Sequence, residues 1–191
     1  MPEISQLIRD LTSGNDIKAE EAIRQMIVLK EDATPLLLTL RDSPNSEDRW
    51  WAYCALAQIP EAESNWFIQG LHDEAPDVRE CAAMGLSCHP DPVAMSELLD
   101  ALQDNDSMVA VLAGRALTGI GKEAVPGLIA VLENGSADAR IQAARSLAEI
   151  RDTRTIPAFM AALDTGTALV KFWAEQGLQN LGSGMIYFNT Q

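Results

Sequence analysis

Cys54, Cys81, Cys88, His72 and His89 are the side chains best suited to holding a metal ion, and all five lie between residues 54 and 89. A mononuclear or iron–sulfur site needs three or four such ligands to converge. Cys81 and Cys88 are seven residues apart, which on one helix is about 10 Å along the axis, too far for a single ion. No Cys-x-x-Cys or His-x-x-x-His spacing occurs. The three cysteines therefore read as reduced structural thiols, too few and too odd in number for a disulfide framework. Other chemistry is equally sparse. Gly119-Ile120-Gly121 is a helix stop rather than a phosphate loop, and no Gly-x-Ser-x-Gly elbow is present. Acidic residues are many, but none stands out as a catalytic pair. The residues predict no catalytic group, no metal site and no cofactor.

The elements that carry these residues are written in a repeat. Alanine recurs at 22, 52, 82, 113, 143 and 174, and four residues after each stands Met26, Leu56, Leu86, Leu117, Leu147 or Leu178. A second series runs Leu11, Leu40, Leu71, Leu102, Leu132 and Leu163. Two registered series at one period predict a two-helix unit repeated six times, a solenoid. First helices are expected near 3–12, 33–42, 61–72, 91–103, 123–133 and 154–164. Second helices are expected near 16–30, 46–58, 76–88, 107–119, 137–150 and 167–181. One repeat domain over 1–182 is expected, followed by an apolar tail, 183–191, with Met185-Ile186-Tyr187-Phe188. Such a tail is suited to packing on the last repeat or to a homo-oligomer contact through the C-terminal end, because terminal repeats need covering.

An apolar fraction of 47 % supports a folded core. No stretch approaches the roughly 20 apolar residues of a membrane span, and no secretion signal opens the chain. A cytoplasmic location is expected. Fourteen basic residues face 28 acidic ones, for a net charge of −14. Binding a polyanion needs clustered Lys and Arg, so nucleic acid and anionic membrane are excluded as expected partners.

The second helices read Asp77-Val78-Arg79-x-x-Ala82-Ala83-x-x-Leu86 and Asp138-Ala139-Arg140-x-x-Ala143-Ala144-x-x-Leu147, with a weaker copy at Asp48-Arg49-x-x-Ala52-x-x-x-Leu56. This pattern resembles the HEAT-like repeat of the phycobilisome (PBS) lyase type over nearly the whole chain. The resemblance implies an all-α, right-handed α-solenoid of about six two-helix HEAT-like repeats, with second helices on the concave face. It implies no single function, since such repeats serve bilin lyase subunits, chaperone-like factors and scaffolds. HEAT-like di-iron hydroxylases carry repeated His-Glu pairs, which neither His72-Asp73 nor His89-Pro90 supplies.

Placed on a wheel at about 100° per residue, Ala82 points to the core with Val78 and Leu86 on either side. Arg79 falls at the core's edge. In relatives of this kind such an arginine bridges to an acid at a helix start, which makes Glu47, Asp77 and Asp138 the candidate partners of Arg49, Arg79 and Arg140. The alternative use of this row is anion binding. Ala19 and Ala110 interrupt the row and Lys171 partly continues it. Facing away from the core are two rows, from which the candidate partner-binding residues are Trp50, Met84, Val111, Arg115, Ile141, Arg145 and Phe172. Large apolar groups on an outward face mark an interaction site, unless the tail, a second subunit or superhelical curvature covers them. Trp51, Trp173 and Tyr53 sit on flanks that pack against neighbouring repeats. The expected function is a non-enzymatic protein–protein interaction scaffold that presents second helices to a partner protein. The alternative is a bilin lyase or chromophore-maturation subunit, holding a linear tetrapyrrole against Trp50, Val111 and Ile141 with Arg115 and Arg145 on its propionates.

Overall fold

The computed structural model describes residues 4–60 and 62–182, so the tail 183–191 lies outside the described residues. These residues gather into two compact units that divide between His89 and Pro90. The first contains α1 (Ile4–Leu11), α2 (Asp16–Val28), α3 (Lys30–Leu40), α4 (Ser46–Ala57), α5 (Asn65–Ile68) and α6 (Pro76–Cys88). The second contains α7 (Met95–Ala101), α8 (Ser107–Ile120), α9 (Val125–Asn134), α10 (Ala137–Ile150), α11 (Ile156–Thr165) and α12 (Ala168–Asn180). Among the described residues there is no strand, and no helix is long and apolar enough to cross a membrane.

Local sequence explains where the helices start. Asn15, Asn45, Asp106 and Ser136 each accept a hydrogen bond from a first-turn N–H, at 3.1, 3.1, 2.8 and 3.3 Å. These are the side chains that satisfy orphan donors at a helix N-terminus. Gly121, at φ 81° and ψ −132°, ends α8 at a positive φ that glycine enters freely. Arg151, at φ 58° and ψ 47°, takes the left-handed helical conformation after α10.

Helices pair within each repeat and second helices stack side by side. In the first unit α1 packs on α2, α3 on α4, and α4 on α6; in the second α7 packs on α8, α9 on α10 and α11 on α12, while α10 lies between α8 and α12. The six periodic alanines fill these seams and none is more than 2 % exposed. Their partners Met26, Leu56, Leu86, Leu117, Leu147 and Leu178 are buried with them. The first-helix series holds less well. Leu40 and Leu163 are half-buried. In α3 the core residues are instead Ala33 and Leu37, because Leu29 alone separates α2 from α3 and the helix turns its face accordingly. Two expected first helices are also shorter: 61–72 resolves into α5 and a 3-10 turn, Gln69–His72, and 91–103 into a 3-10 turn, Pro92–Ala94, before α7.

Side-chain volumes are matched across the helix pairs. Phe67 and Phe159, both fully buried, press against Gly85 and Gly177, each 18 residues later. A Cβ at Gly177 would stand 2.3 Å from the Phe159 ring, and one at Gly85 2.4 Å from Phe67. Eighteen residues after the smaller Leu98 and Leu128 stand Ala116 and Ser146, which do carry a Cβ.

Polar bonds spanning 32 residues tie successive repeats together. In the first unit His89 Nε2 lies 3.1 Å from the Ala57 carbonyl oxygen. In the second, Ser146 Oγ donates to the Gly114 carbonyl at 2.9 Å, Arg154 to that of Lys122 at 2.7 Å and Asn180 to that of Ala148 at 3.1 Å. The Ala57 and Ala148 carbonyls lie in the last turns of α4 and α10, where a carbonyl has no partner within its own helix, and the following repeat supplies one. The Gly114 carbonyl lies inside α8 and takes Ser146 as an added donor.

Candidate functional site

The side chains of the arginine row bond to backbone carbonyls. Arg49 donates to the carbonyls of Ser43 and Pro44 at 3.0 and 3.2 Å, Arg79 to those of Asp73 and Glu74 at 3.0 and 3.3 Å, and Arg140 to that of Leu132 at 2.9 Å. Lys171 continues the pattern with the Asp164 carbonyl at 3.5 Å. Each cation meets the carbonyls at or just beyond the end of the preceding first helix, where dipole and orphan acceptors favour it. The acid that answers Arg49 is Asp73, in a two-pronged contact at 2.7 and 2.8 Å, and not Glu47. Asp77 and Asp138 stand exposed in the first turns of α6 and α10. The arginines reach toward the helix ends because their side chains lie at the edge of the core facing the preceding loop, away from the helix starts. Burial pushes the Asp73 carboxyl up, but hydrogen bonds from Arg49 and from the Ala75 N–H outweigh it, leaving Asp73 below the usual carboxylate range.

Cys81 is buried and its hydrogen bond with Cys54, together with burial, holds it far above the usual thiol range, so it stays protonated at neutral pH. His89 is stacked on Phe67 with its ring plane 4° from parallel, a packing role. Among the described residues no group of three or more His, Cys, Asp and Glu could hold a metal ion.

The outward rows are placed as follows. In the second unit Val111, Ile141 and Arg145 are half-buried, Arg115 is exposed, and Phe172 is 49 % exposed. In the first, Trp50 and Met84 are half-buried. The partial burial follows from stacking: each second helix is flanked by another, which shields side chains near the seam. Arg145 is already engaged. It pairs with Glu149 at 3.1 Å and lies 5.6 Å above the Trp173 ring centroid. Arg115 has no ion pair among the described residues. Trp51 and Tyr53 are buried, in keeping with an inter-repeat role. Trp173 is half-buried and meets Phe172 edge-on at 5.2 Å.

Sequence reasoning missed two exposed apolar groups beside the outward row. Met108 and Leu169 are 49 % and 56 % exposed, three residues before Val111 and Phe172 and so on the same helix face. Extending the outward row one turn toward the helix start would have found them. In the first unit Ile17 and Val28 are exposed on α2. The second unit thus presents Met108, Val111, Ile141, Leu169 and Phe172 along α8, α10 and α12.

The sequence matches the HEAT-repeat family over residues 33–110 and 95–179. No curated protein matches it. Solved structures share the fold at low identity. YibA of Escherichia coli is 20 % identical, covering 97 % of this chain and 75 % of that one, with a TM-score of 0.62. A designed armadillo repeat protein in complex with the peptide (KR)4 is 18 % identical, covering 94 % and 100 %, with a TM-score of 0.60. Human deoxyhypusine hydroxylase, in complex with glycerol, is 19 % identical, covering 94 % and 73 %, with a TM-score of 0.55. At such identities the likeness is one of fold. With its paired helices, buried alanine seams and two matched stretches reaching from residue 33 to residue 179, the chain belongs to the HEAT-repeat family, an all-α solenoid class.

Proposed function

We propose that the chain is a non-enzymatic protein-interaction scaffold whose second helices form the docking surface. The observation that carries this reading is the apolar surface left open along α8, α10 and α12. Met108, Leu169 and Phe172 are each about half exposed, and Val111 and Ile141 are half-buried beside them. Covering apolar surface returns roughly 25 cal/mol per Å², and large apolar side chains left exposed on neighbouring helices favour a contact with another molecule. Arg115, without an ion pair among the described residues, stands four residues after Val111 and adds a polar anchor of the type enriched at interfaces. The peptide complex of the structurally similar designed armadillo protein supports a protein segment as the class of partner. The net charge of −14 favours encounter with basic partners over acidic ones.

The test is affinity capture from the soluble proteins of the source cells with matched variants. Ile141→Ser and Phe172→Ser should leave the melting temperature within a few degrees of wild type and abolish retention of the captured partner; Trp50→Ala is the counterpart in the first unit. Retention unaffected by all three would overturn the assignment of the surface. A saturable shift of biliverdin's own visible absorbance band on titration with the protein would favour the chromophore-maturation alternative instead.

A further inference from the structure

We propose that the notch between the starts of α4 and α6 receives one arginine side chain of a basic protein segment. This rests on the scaffold reading above and adds the chemistry of the partner at the first unit. The notch has a volume of about 270 Å³ and is lined by Ser46, Glu47 and Trp50 from α4 and by Ala75, Asp77 and Val78 at the start of α6. That lies under the ~300–1,000 Å³ of small-molecule sites and suits a single long side chain. Val78 is fully buried, and Trp50 is half-buried, held edge-on against Trp51 at 4.4 Å.

Glu47 and Asp77 occupy equivalent positions on neighbouring helices and both are exposed. Neither carboxylate makes an ion pair or side-chain hydrogen bond among the described residues. An indole with two unpaired carboxylates beside it matches a guanidinium, which is planar, stacks on aromatic faces and bonds carboxylates through a fork of donors. An aliphatic side chain would cover Trp50 but strip water from the carboxylates without pairing them. A second copy of this chain, with twice as many acidic as basic residues, is a poor occupant. The equivalent positions in the second unit are Met108, Asp138 and Leu169, so no neighbouring pair there supplies two acids. The arginine receptor belongs to α4 and α6.

The probe is a fluorescein-labelled arginine–glycine repeat peptide, followed by anisotropy at about 0.15 M salt, beside lysine–glycine and glutamate–glycine versions. Wild type should bind the arginine peptide saturably, the lysine peptide several-fold more weakly and the glutamate peptide not at all. The double variant Glu47→Gln/Asp77→Asn alters only exposed groups and should weaken the arginine peptide by about tenfold or more, as should Trp50→Ala. Glu123→Gln/Glu133→Gln removes the same charge from the second unit and should change affinity less than about twofold. Absence of saturable arginine binding, or equal loss in the charge-matched control, overturns the proposal. If a captured partner is lost with Ile141→Ser while the arginine peptide does not bind, the scaffold reading stands and the arginine receptor falls. If the arginine peptide binds as expected while Ile141→Ser and Phe172→Ser retain the partner, the second-unit surface is the part that fails.

Discussion

Gly177→Ala tests whether volume matching holds the repeats together. An added Cβ would stand 2.3, 2.5 and 3.0 Å from Cε2, Cζ and Cδ2 of Phe159, a ring that is itself fully buried and has nowhere to retreat. Overpacking of this kind costs about 1–3 kcal/mol, and a contact this short belongs at the upper end. Replacing glycine by alanine inside a helix returns about 1 kcal/mol of propensity. The expected net loss is about 2 kcal/mol. Phe159→Leu alone should cost about 1–1.5 kcal/mol. In that background the site resembles Leu128 facing Ser146, and Gly177→Ala should become neutral or stabilising by up to about 1 kcal/mol. The substitution therefore changes from harmful to harmless, with a coupling of about 2–3 kcal/mol in a double-mutant cycle. Urea unfolding of the four proteins, read by far-ultraviolet circular dichroism, supplies the numbers. A coupling below about 0.5 kcal/mol would mean that the ring and the glycine act independently, and the size-matching account would be wrong.

Two further outcomes are expected. Asp73→Asn breaks the contact with Arg49, in which both side chains are 12 % exposed, and should cost about 1–3 kcal/mol at neutral pH. Because the folded-state pKa of Asp73 is lowered, its contribution is full above the unfolded value of about 3.9 and fades as pH falls through the folded one; the variant should lose less stability than wild type on acidification below about pH 4, and parallel acid profiles would refute this. Arg151→Gly removes a side chain held at φ 58°, where residues other than glycine carry about 1–2 kcal/mol of strain. It should raise stability by about 0.5–1 kcal/mol after the greater freedom of unfolded glycine is counted, and a lower urea midpoint would show that Arg151 contributes contacts of its own.

The helices were legible because alanine at one position and leucine or methionine four residues later recur wherever two helices meet closely, and all twelve of those residues are buried. Second helices, with strong caps such as Asp106 and Ser136, were placed to within about two residues. First helices were harder. Their single leucine stripe does not show that α3 follows α2 after Leu29 alone, nor that Gly70 lies against Tyr53 and Ala82 in a 3-10 turn. The carbonyl partners of the arginine row were invisible in principle, since backbone carbonyls carry no residue identity, and Asp73 was missed because it lies 24 residues from Arg49, in the loop before the next second helix. The outward row was found by angle, but angle gives direction and not exposure. Trp50 and Ile141 point outward and are still half covered by an adjacent helix, whereas Met108 and Leu169, one turn nearer the helix start, are left in water.

The side-chain bonds that span 32 residues bear on how such a chain can change its length. His89 serves Ala57 and Asn180 serves Ala148, so each joint keeps its acceptor in one repeat and its donor in the next. Duplication or loss of a whole repeat in frame keeps the spacing from each helix end to the same position of the following repeat, although the donor, His89 in one joint and Asn180 in another, differs between repeats. An insertion of a few residues inside a helix would carry the donor past its acceptor and rotate every later side chain out of register. Growth by whole repeats is therefore the change this architecture tolerates, while shorter insertions are confined to the turns between helices.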